Sequence, residues 1–251
     1  SQVYLHPQLH LGLLLRRYDR DYHSFYGQAF GESSTLRNEQ GSYLSLRFLP
    51  HHRWEVTAYL DRFRFPWLRF GVDAPSEGFD YTVTTQYKPA KGQQLRLSYR
   101  REQKQKNFEL SDSQTRLLQT TNWQQVRLQW QQQASEGLRL KTQVYYNQYS
   151  DEEGRGTGWA LMQDVQYDKA GWGLSTRLAL FQTSSFDNRI YSYERDVRYA
   201  FSVPFYEGNG LRSYMMFYCK PTETLKLWLR YARFYYLDRS ETGSGHSSAP
   251  G

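Results

Sequence analysis

The sequence predicts an all-β fold, a transmembrane antiparallel up-and-down β-barrel of about twelve strands. Three observations carry that prediction. Apolar and polar residues alternate with a period of two in many segments, among them Leu95-Arg96-Leu97-Ser98-Tyr99-Arg100 and Val126-Arg127-Leu128-Gln129-Trp130-Gln131. Short turns and long polar connections follow one another down the chain, as the periplasmic turns and external loops of bacterial barrels do. Aromatic residues reach 17% although hydrophobic residues are only 39% and mean hydropathy is -0.83. Tyr and Trp girdles at the two membrane interfaces, with polar side chains facing inward, produce that balance.

Taken in order, Gln8 to Arg16 is expected to rise from the periplasmic side, Tyr43 to Leu49 to descend and Arg53 to Phe63 to rise, with Leu44-Ser45-Leu46-Arg47-Phe48 and Trp54-Glu55-Val56-Thr57-Ala58 carrying the alternation. Tyr81-Thr82-Val83-Thr84, Leu138-Arg139-Leu140-Lys141-Thr142-Gln143-Val144 and Leu174-Ser175-Thr176-Arg177-Leu178 continue it. Leu211-Arg212-Ser213-Tyr214-Met215 and Leu225-Lys226-Leu227-Trp228-Leu229-Arg230 close the series. Pro or Gly marks the short turns at Pro50 to His52, Lys88 to Gly92, Ala134 to Gly137, Asp168 to Gly171 and Lys220 to Glu223. The long connections are expected at Tyr18 to Gln40, Pro66 to Gly78, Gln103 to Leu117, Ser150 to Thr157 and Ser184 to Gly208. The count comes to about eleven strands, so a closing strand is expected to be missing after Gly251.

Residues 1–251 are read as a single domain, a fragment of a longer protein, with 238–251 a flexible loop or tail. The residues from Ser1 onward show no cationic, apolar signal segment, so the chain is expected to be a mature or internal fragment from which any signal has been removed, and no run approaches the ~20 apolar residues of a membrane-spanning helix. A soluble sandwich or propeller is the alternative for period-two strands, but such folds place turns every 8 to 12 residues or so. The single cysteine, Cys219, excludes an intramolecular disulfide framework. Net charge is +7 with a pI near 9.3, yet the basic residues lie singly on strands and form no compact nucleic-acid patch.

One region resembles a known family. Ile190-Tyr191-Ser192-Tyr193-Glu194-Arg195-Asp196-Val197-Arg198-Tyr199-Ala200-Phe201-Ser202-Val203-Pro204, then Gly208-Asn209-Gly210-Leu211-Arg212-Ser213-Tyr214, is similar to the carboxy-terminal barrel of Bacteroidetes outer-membrane proteins that carry helix-hairpin-helix repeats upstream. Tyr218-Cys219-Lys220-Pro221 and Leu227-Trp228-Leu229-Arg230-Tyr231 share the likeness, which covers the last quarter of the chain. It implies an outer-membrane location and a periplasmic domain before Ser1. The nucleic-acid contacts of the upstream repeats do not carry over to any residue here.

With apolar positions facing lipid, the inward basic residues are Arg47, Lys88, Arg96, Arg100, Arg127, Arg139, Lys141, Arg177, Arg212, Lys226 and Arg230, against the few acids Glu55, Asp61 and Asp164. A cationic lumen follows, either as a polar filling or as an anion path. Inward Tyr145, Met162, Phe181, Tyr214 and Trp228 favour filling. Tyr191, Tyr193, Tyr199, Phe201, Phe205 and Tyr206 make the fifth connection a candidate plug or partner-binding loop.

Catalysis is not expected. His23 near Ser24, Asp19 and Asp21, and His246 before Ser247 and Ser248, are pairings that flexible loops produce by chance. Adjacent His51 and His52 are expected to point apart without a third metal ligand, and Gly154-Arg155-Gly156-Thr157-Gly158 lacks the Lys and helix of a phosphate loop. No catalytic, cofactor or metal residue is assigned, and no small-molecule cofactor is expected. The expected function is an integral outer-membrane protein that anchors or joins an outer-membrane complex, with transport through the cationic lumen; an anion-preferring channel is the alternative. Its partners are outer-membrane lipid and other outer-membrane or periplasmic proteins.

Overall fold

The computed structural model describes residues 2–23, 30–33, 36–109, 116–239, 241–242 and 249–250. Ten strands come first: β1 (Gln2–His6), β2 (Leu9–Tyr18), β3 (Glu39–His51), β4 (Trp54–Phe65), β5 (Ser76–Tyr87), β6 (Gln93–Glu109), β7 (Arg116–Ser135), β8 (Leu138–Asp151), β9 (Gly154–Lys169) and β10 (Trp172–Thr183). A 3-10 turn at Phe186–Asn188 leads to two short strands, β11 (Ile190–Tyr191) and β12 (Phe205–Tyr206). Then follow β13 (Asn209–Cys219), β14 (Leu227–Tyr236), β15 (Glu241–Thr242) and β16 (Ala249–Pro250). Strands β1 to β10, β13 and β14 form one sheet of 12 strands in chain order, while β11 pairs with β12 and β15 with β16. The all-β, antiparallel, up-and-down class read from the alternation is the observed one.

Several boundaries differ from expectation. The uncounted strand is β1, paired antiparallel with β2 from Gln2↔Gly12 to His6↔Leu9; it is too short for its alternation to stand out. The loop expected at Ser150 to Thr157 is a two-residue turn, because β8 runs to Asp151 and β9 starts at Gly154. Much of the loop expected at Gln103 to Leu117 is strand, with β6 extending to Glu109 and β7 starting at Arg116; residues 110–115 lie outside the described ones. The tail expected to be flexible begins with a fixed contact, the Asn209 backbone N–H donating to Asp238 Oδ2 at 2.9 Å.

By contacts the chain divides into two compact units, Ser1–Gln86 with Ser98–Gln125 and Tyr149–Arg155, and Tyr87–Leu97 with Val126–Gln148 and Gly156–Gly251. Both bury the polar face of their strands and leave the apolar one exposed. In the first unit Leu13, Leu15, Leu44, Leu60 and Val83 are exposed, whereas Arg16, Glu39, Asp61 and Asp80 are buried. The second exposes Leu128, Leu161, Leu178, Leu180, Met215 and Leu229 and buries Gln143, Asp164, Arg177 and Arg212. Charged residues are almost never fully buried unless paired, so this inversion requires partners for each.

The second unit also has an apolar cluster on its inner face: Tyr145, Ala160, Met162, Ala179, Phe181, Ile190 and Tyr206, with Phe234 and Tyr236 packed against it. Two of these, Ile190 and Tyr206, come from the segment between β10 and β13. That segment is therefore part of the unit's interior.

Candidate functional site

Residues 184–208, between β10 and β13, cover the polar face of the second unit, and the sequence shows how they are held. The segment docks first on β9. The Ser184 backbone N–H donates to Thr157 O at 2.9 Å, and the Thr157 N–H donates to Ser184 Oγ at 2.8 Å. Asn188 and Asn147, both wholly buried, then join by Asn147 Nδ2 donating to Asn188 O at 2.9 Å, and Asn188 Nδ2 donates to Gly156 O of β9 at 3.1 Å. A Cβ at Gly156 would run into Asn188 Oδ1 and Ser184 Oγ, and one at Gly158 into Asn147 Oδ1 and Asn188 O. The glycines read as a loop signal are strand residues that let a second piece of backbone approach.

Burial then alternates from Ile190 to Glu194, although only Ile190–Tyr191 is strand. Ile190, Ser192 and Glu194 are buried, while Tyr191 and Tyr193 are exposed. It returns through the Glu194 N–H donating to Ser202 O at 3.0 Å and the Ile190↔Tyr206 pair. Glu194, 0% exposed, is the centre. Arg212 donates to it with Nε at 2.9 Å and Nη2 at 2.7 Å, Arg230 with Nη2 at 2.6 Å, and Tyr206 with its hydroxyl at 3.1 Å. Burial pushes the Tyr206 phenol above its ordinary range; the Arg177 charge opposes this in part.

Beside it lies a second group on Asp164. Arg177 makes a forked pair with both carboxylate oxygens and reaches Ser192 Oγ with Nη1 at 3.0 Å. Lys141 Nζ sits 3.0 Å from Asp164 Oδ2, and Gln143 Nε2 donates to the same oxygen at 3.3 Å. Arg127 Nη2 donates to Gln143 Oε1 at 2.8 Å. Forked Arg–carboxylate pairs combine charge with fixed geometry, which makes them stronger than neutral hydrogen bonds.

The first unit repeats the scheme on its own connections. Arg16 bridges Glu39 at 2.6 Å and Asp61 at 2.7 Å. Glu39 also accepts the Glu32 N–H at 3.0 Å, holding the β2–β3 connection. Arg100 pairs with Asp80 at 2.8 Å, and Lys104 with Glu32 at 2.6 Å and Glu102 at 3.1 Å. Burial raises the Glu32 carboxyl, with Lys104 pulling the other way.

The predicted basic residues divide accordingly. Arg100, Arg127, Lys141, Arg177, Arg212 and Arg230 belong to these networks, and Arg47 pairs with Glu55 at 2.7 Å while still half exposed. Arg96 is half-buried on β6, and Arg139 is exposed on β8 at the end of the Lys141 row. Lys88 and Lys226 are corrections: both are exposed in turns, because β5 ends at Tyr87 and β14 begins at Leu227. The expected shortage of acids is also corrected. Glu39, Asp80 and Glu194 are buried partners, and two of the three sit at strand ends or in the covering segment, where alternation assigns no face.

Among the loop aromatics, Tyr206 is 0% exposed, contrary to a uniformly presented surface, whereas Tyr199 at 92% and Phe201 at 80% do face outward with Tyr191, Tyr193 and Phe205. The rings of His51 and His52 are 3.9 Å apart instead of pointing away from each other. Among the described residues, no cluster of three potential ligands accompanies them. Of the two histidine–serine pairings, His23 is described, its Nδ1 2.7 Å from Asp21 O; Ser24, His246, Ser247 and Ser248 lie outside the described residues.

No family model and no curated protein matches the chain. Among solved structures it is similar to in-vitro folded OmpT, an outer membrane protein of Vibrio cholerae, at 11% identity over 90% of this chain and 76% of that one, with a TM-score of 0.47. The expectation that the chain is not an enzyme does not stand beside this match. It rested on the absence of a legible triad in loops whose serines lie outside the described residues, and a likeness of this kind brings neither an activity nor the exclusion of one.

Proposed function

We propose that this chain is the wall of an integral outer-membrane β-barrel whose polar face is plugged by its own segment 184–208, and that it serves as an anchored member of an outer-membrane assembly. The reversal of burial supports the membrane: rows of Leu, Val, Met and Phe are exposed while Arg, Asp and Gln are buried. Strands of 12 to 20 residues from β4 to β10 exceed the ~9 to 11 that a tilted strand needs to cross a bilayer. Short connections alternate with the long ones at 19–38, 66–75 and 184–208, the two-residue β8–β9 turn being the exception, in keeping with a periplasmic and an external side.

One observation carries the plug: Glu194, wholly buried, is shared by Arg212 and Arg230. Arg100, Arg177, Arg212 and Arg230, which would have lined an anion path, are occupied by acids, and the segment lies over the last three, so passage requires it to leave. The exposed ring pairs Tyr191–Phe205 and Tyr193–Phe201 are then the face offered to a protein partner. The resemblance to barrels that follow periplasmic helix-hairpin-helix repeats accords with an anchoring role.

Planar-bilayer recording tests this reading. The protein is expected to be silent or to flicker, and Glu194→Ala to open a steady current. A steady open current from the unaltered protein would overturn the plug, and failure to insert into outer-membrane-like vesicles would overturn the barrel.

A further inference from the structure

We infer that the second unit holds a binding site for a small oxyanion, a solute bearing a phosphate or carboxylate group, between Arg139 and Lys141 of β8 and Arg195 of the covering segment. A cavity of about 280 Å³ opens there, lined also by Gln131, Ser175 and Tyr193.

The balance of charge at this cavity is uneven. Its lining has four cations, Arg139, Lys141, Arg177 and Arg195, and one carboxylate, Asp164. Asp164 is already engaged through both oxygens by Arg177 and then shared with Lys141. Arg195 spends one nitrogen on Ser175 Oγ at 2.9 Å, and its carboxylate neighbour, Asp168, is 3.7 Å away. Arg139 has no acid partner among the described residues. Arg16, Arg212 and Arg230 on the two polar faces have their acids at 2.6 to 3.1 Å, which Arg139 here lacks.

The chemistry of the lining selects the ligand. Two guanidinium forks and an ammonium converge on a concave polar wall, and planar forks match the oxygens of phosphate and carboxylate. Gln131 and Ser175 add neutral partners for the remaining oxygens. Tyr193 closes one side with a ring, which accommodates a carbon skeleton.

This site rests on the covered polar face and not on the membrane location, so the two fail separately: binding by a protein that does not insert into vesicles leaves the site intact, and insertion without binding removes it. Isothermal titration of the full chain folded in neutral detergent, at low ionic strength, would use inorganic phosphate and succinate as probes and choline as the cationic control. Phosphate or succinate is expected to bind, choline not. Arg139→Gln and Arg195→Gln should each weaken binding by about tenfold or more, and the exposed turn variant Lys226→Gln should leave it unchanged.

Circular dichroism of each variant keeps loss of folding distinct from loss of binding. Should Arg139→Gln fail to fold, Arg139→Lys, which keeps the charge and loses the fork, is expected to bind more weakly. Displacement of phosphate by phosphatidylglycerol in mixed micelles would keep the site and assign it to a lipid headgroup. Absence of binding for both anions, or equal weakening by Lys226→Gln, would overturn it.

Discussion

Glu194 and Arg212 are 18 positions apart in sequence and meet through two hydrogen bonds, Nε to Oε1 at 2.9 Å and Nη2 to Oε2 at 2.7 Å, with the acid wholly buried. One lies on the covering segment and the other on β13, so the pair fixes the segment to the sheet. Its removal leaves Arg212 and Arg230 facing each other without a shared anion. Breaking a buried pair from one side costs about 3–5 kcal/mol, whereas replacing both partners with apolar groups of similar size is nearly neutral. Glu194→Ala is therefore expected to lower the urea midpoint in detergent strongly. The triple variant Glu194→Leu with Arg212→Met and Arg230→Met, which leaves neither guanidinium without the shared anion, should recover much of the loss; equal loss in both would show that this group is not the fastening.

The seat of the segment on β9 makes a separate prediction. Gly156 and Gly158 give Asn188 and Asn147 their room, and added methyl groups would meet buried polar atoms. Overpacking of this kind costs about 1–3 kcal/mol. Gly158→Ala should release the segment before the sheet unfolds, and limited trypsin digestion should then cut at Arg189 and Arg198 faster than in the unaltered protein. Unchanged cleavage would place the fastening elsewhere.

The β2–β3 connection carries a pH dependence. Burial holds the Glu32 carboxyl above its ordinary value of 4.5, with Lys104 opposing. A raised acid favours the protonated folded state, so its stabilising contribution is full below the unfolded value and is lost as pH rises through the folded one. Glu32→Gln should flatten stability between about pH 4.5 and neutrality, read as the urea midpoint against pH. An unchanged slope would show that Lys104 fully compensates the burial.

Alternation made the strand faces legible: Arg127, Lys141, Arg177 and Arg212 were placed inward by period alone, and each is on the buried face. What alternation does not encode is a partner brought from another segment. Glu39 stands at the first residue of β3 and Glu194 in a stretch where no long strand imposes a period, so their pairing with Arg16, Arg212 and Arg230 depends on how the connections fold back. Gly154 to Gly158 misled for a related reason. Glycine marks loops, but it also marks strands against which another backbone packs, and only the presence of Asn188 distinguishes the two.

The exposed apolar rows give the sharpest test of the membrane reading. Leu178 is 52% exposed on β10, between buried Arg177 and Ala179. On a soluble surface, Leu178→Arg would change stability by no more than about 0.5 kcal/mol. On a lipid-facing strand the same change costs about 2–4 kcal/mol near the bilayer midplane and little at the interfaces. Leu178→Arg is thus expected to reduce folding into phosphatidylcholine vesicles markedly while leaving folding in detergent much less affected. Leu227→Arg, at the first residue of β14 beside the β13–β14 turn, should be tolerated in both. The difference between the two positions is diagnostic, since depth in a bilayer has no counterpart on a water-exposed sheet; equal tolerance in vesicles would remove the case for lipid contact.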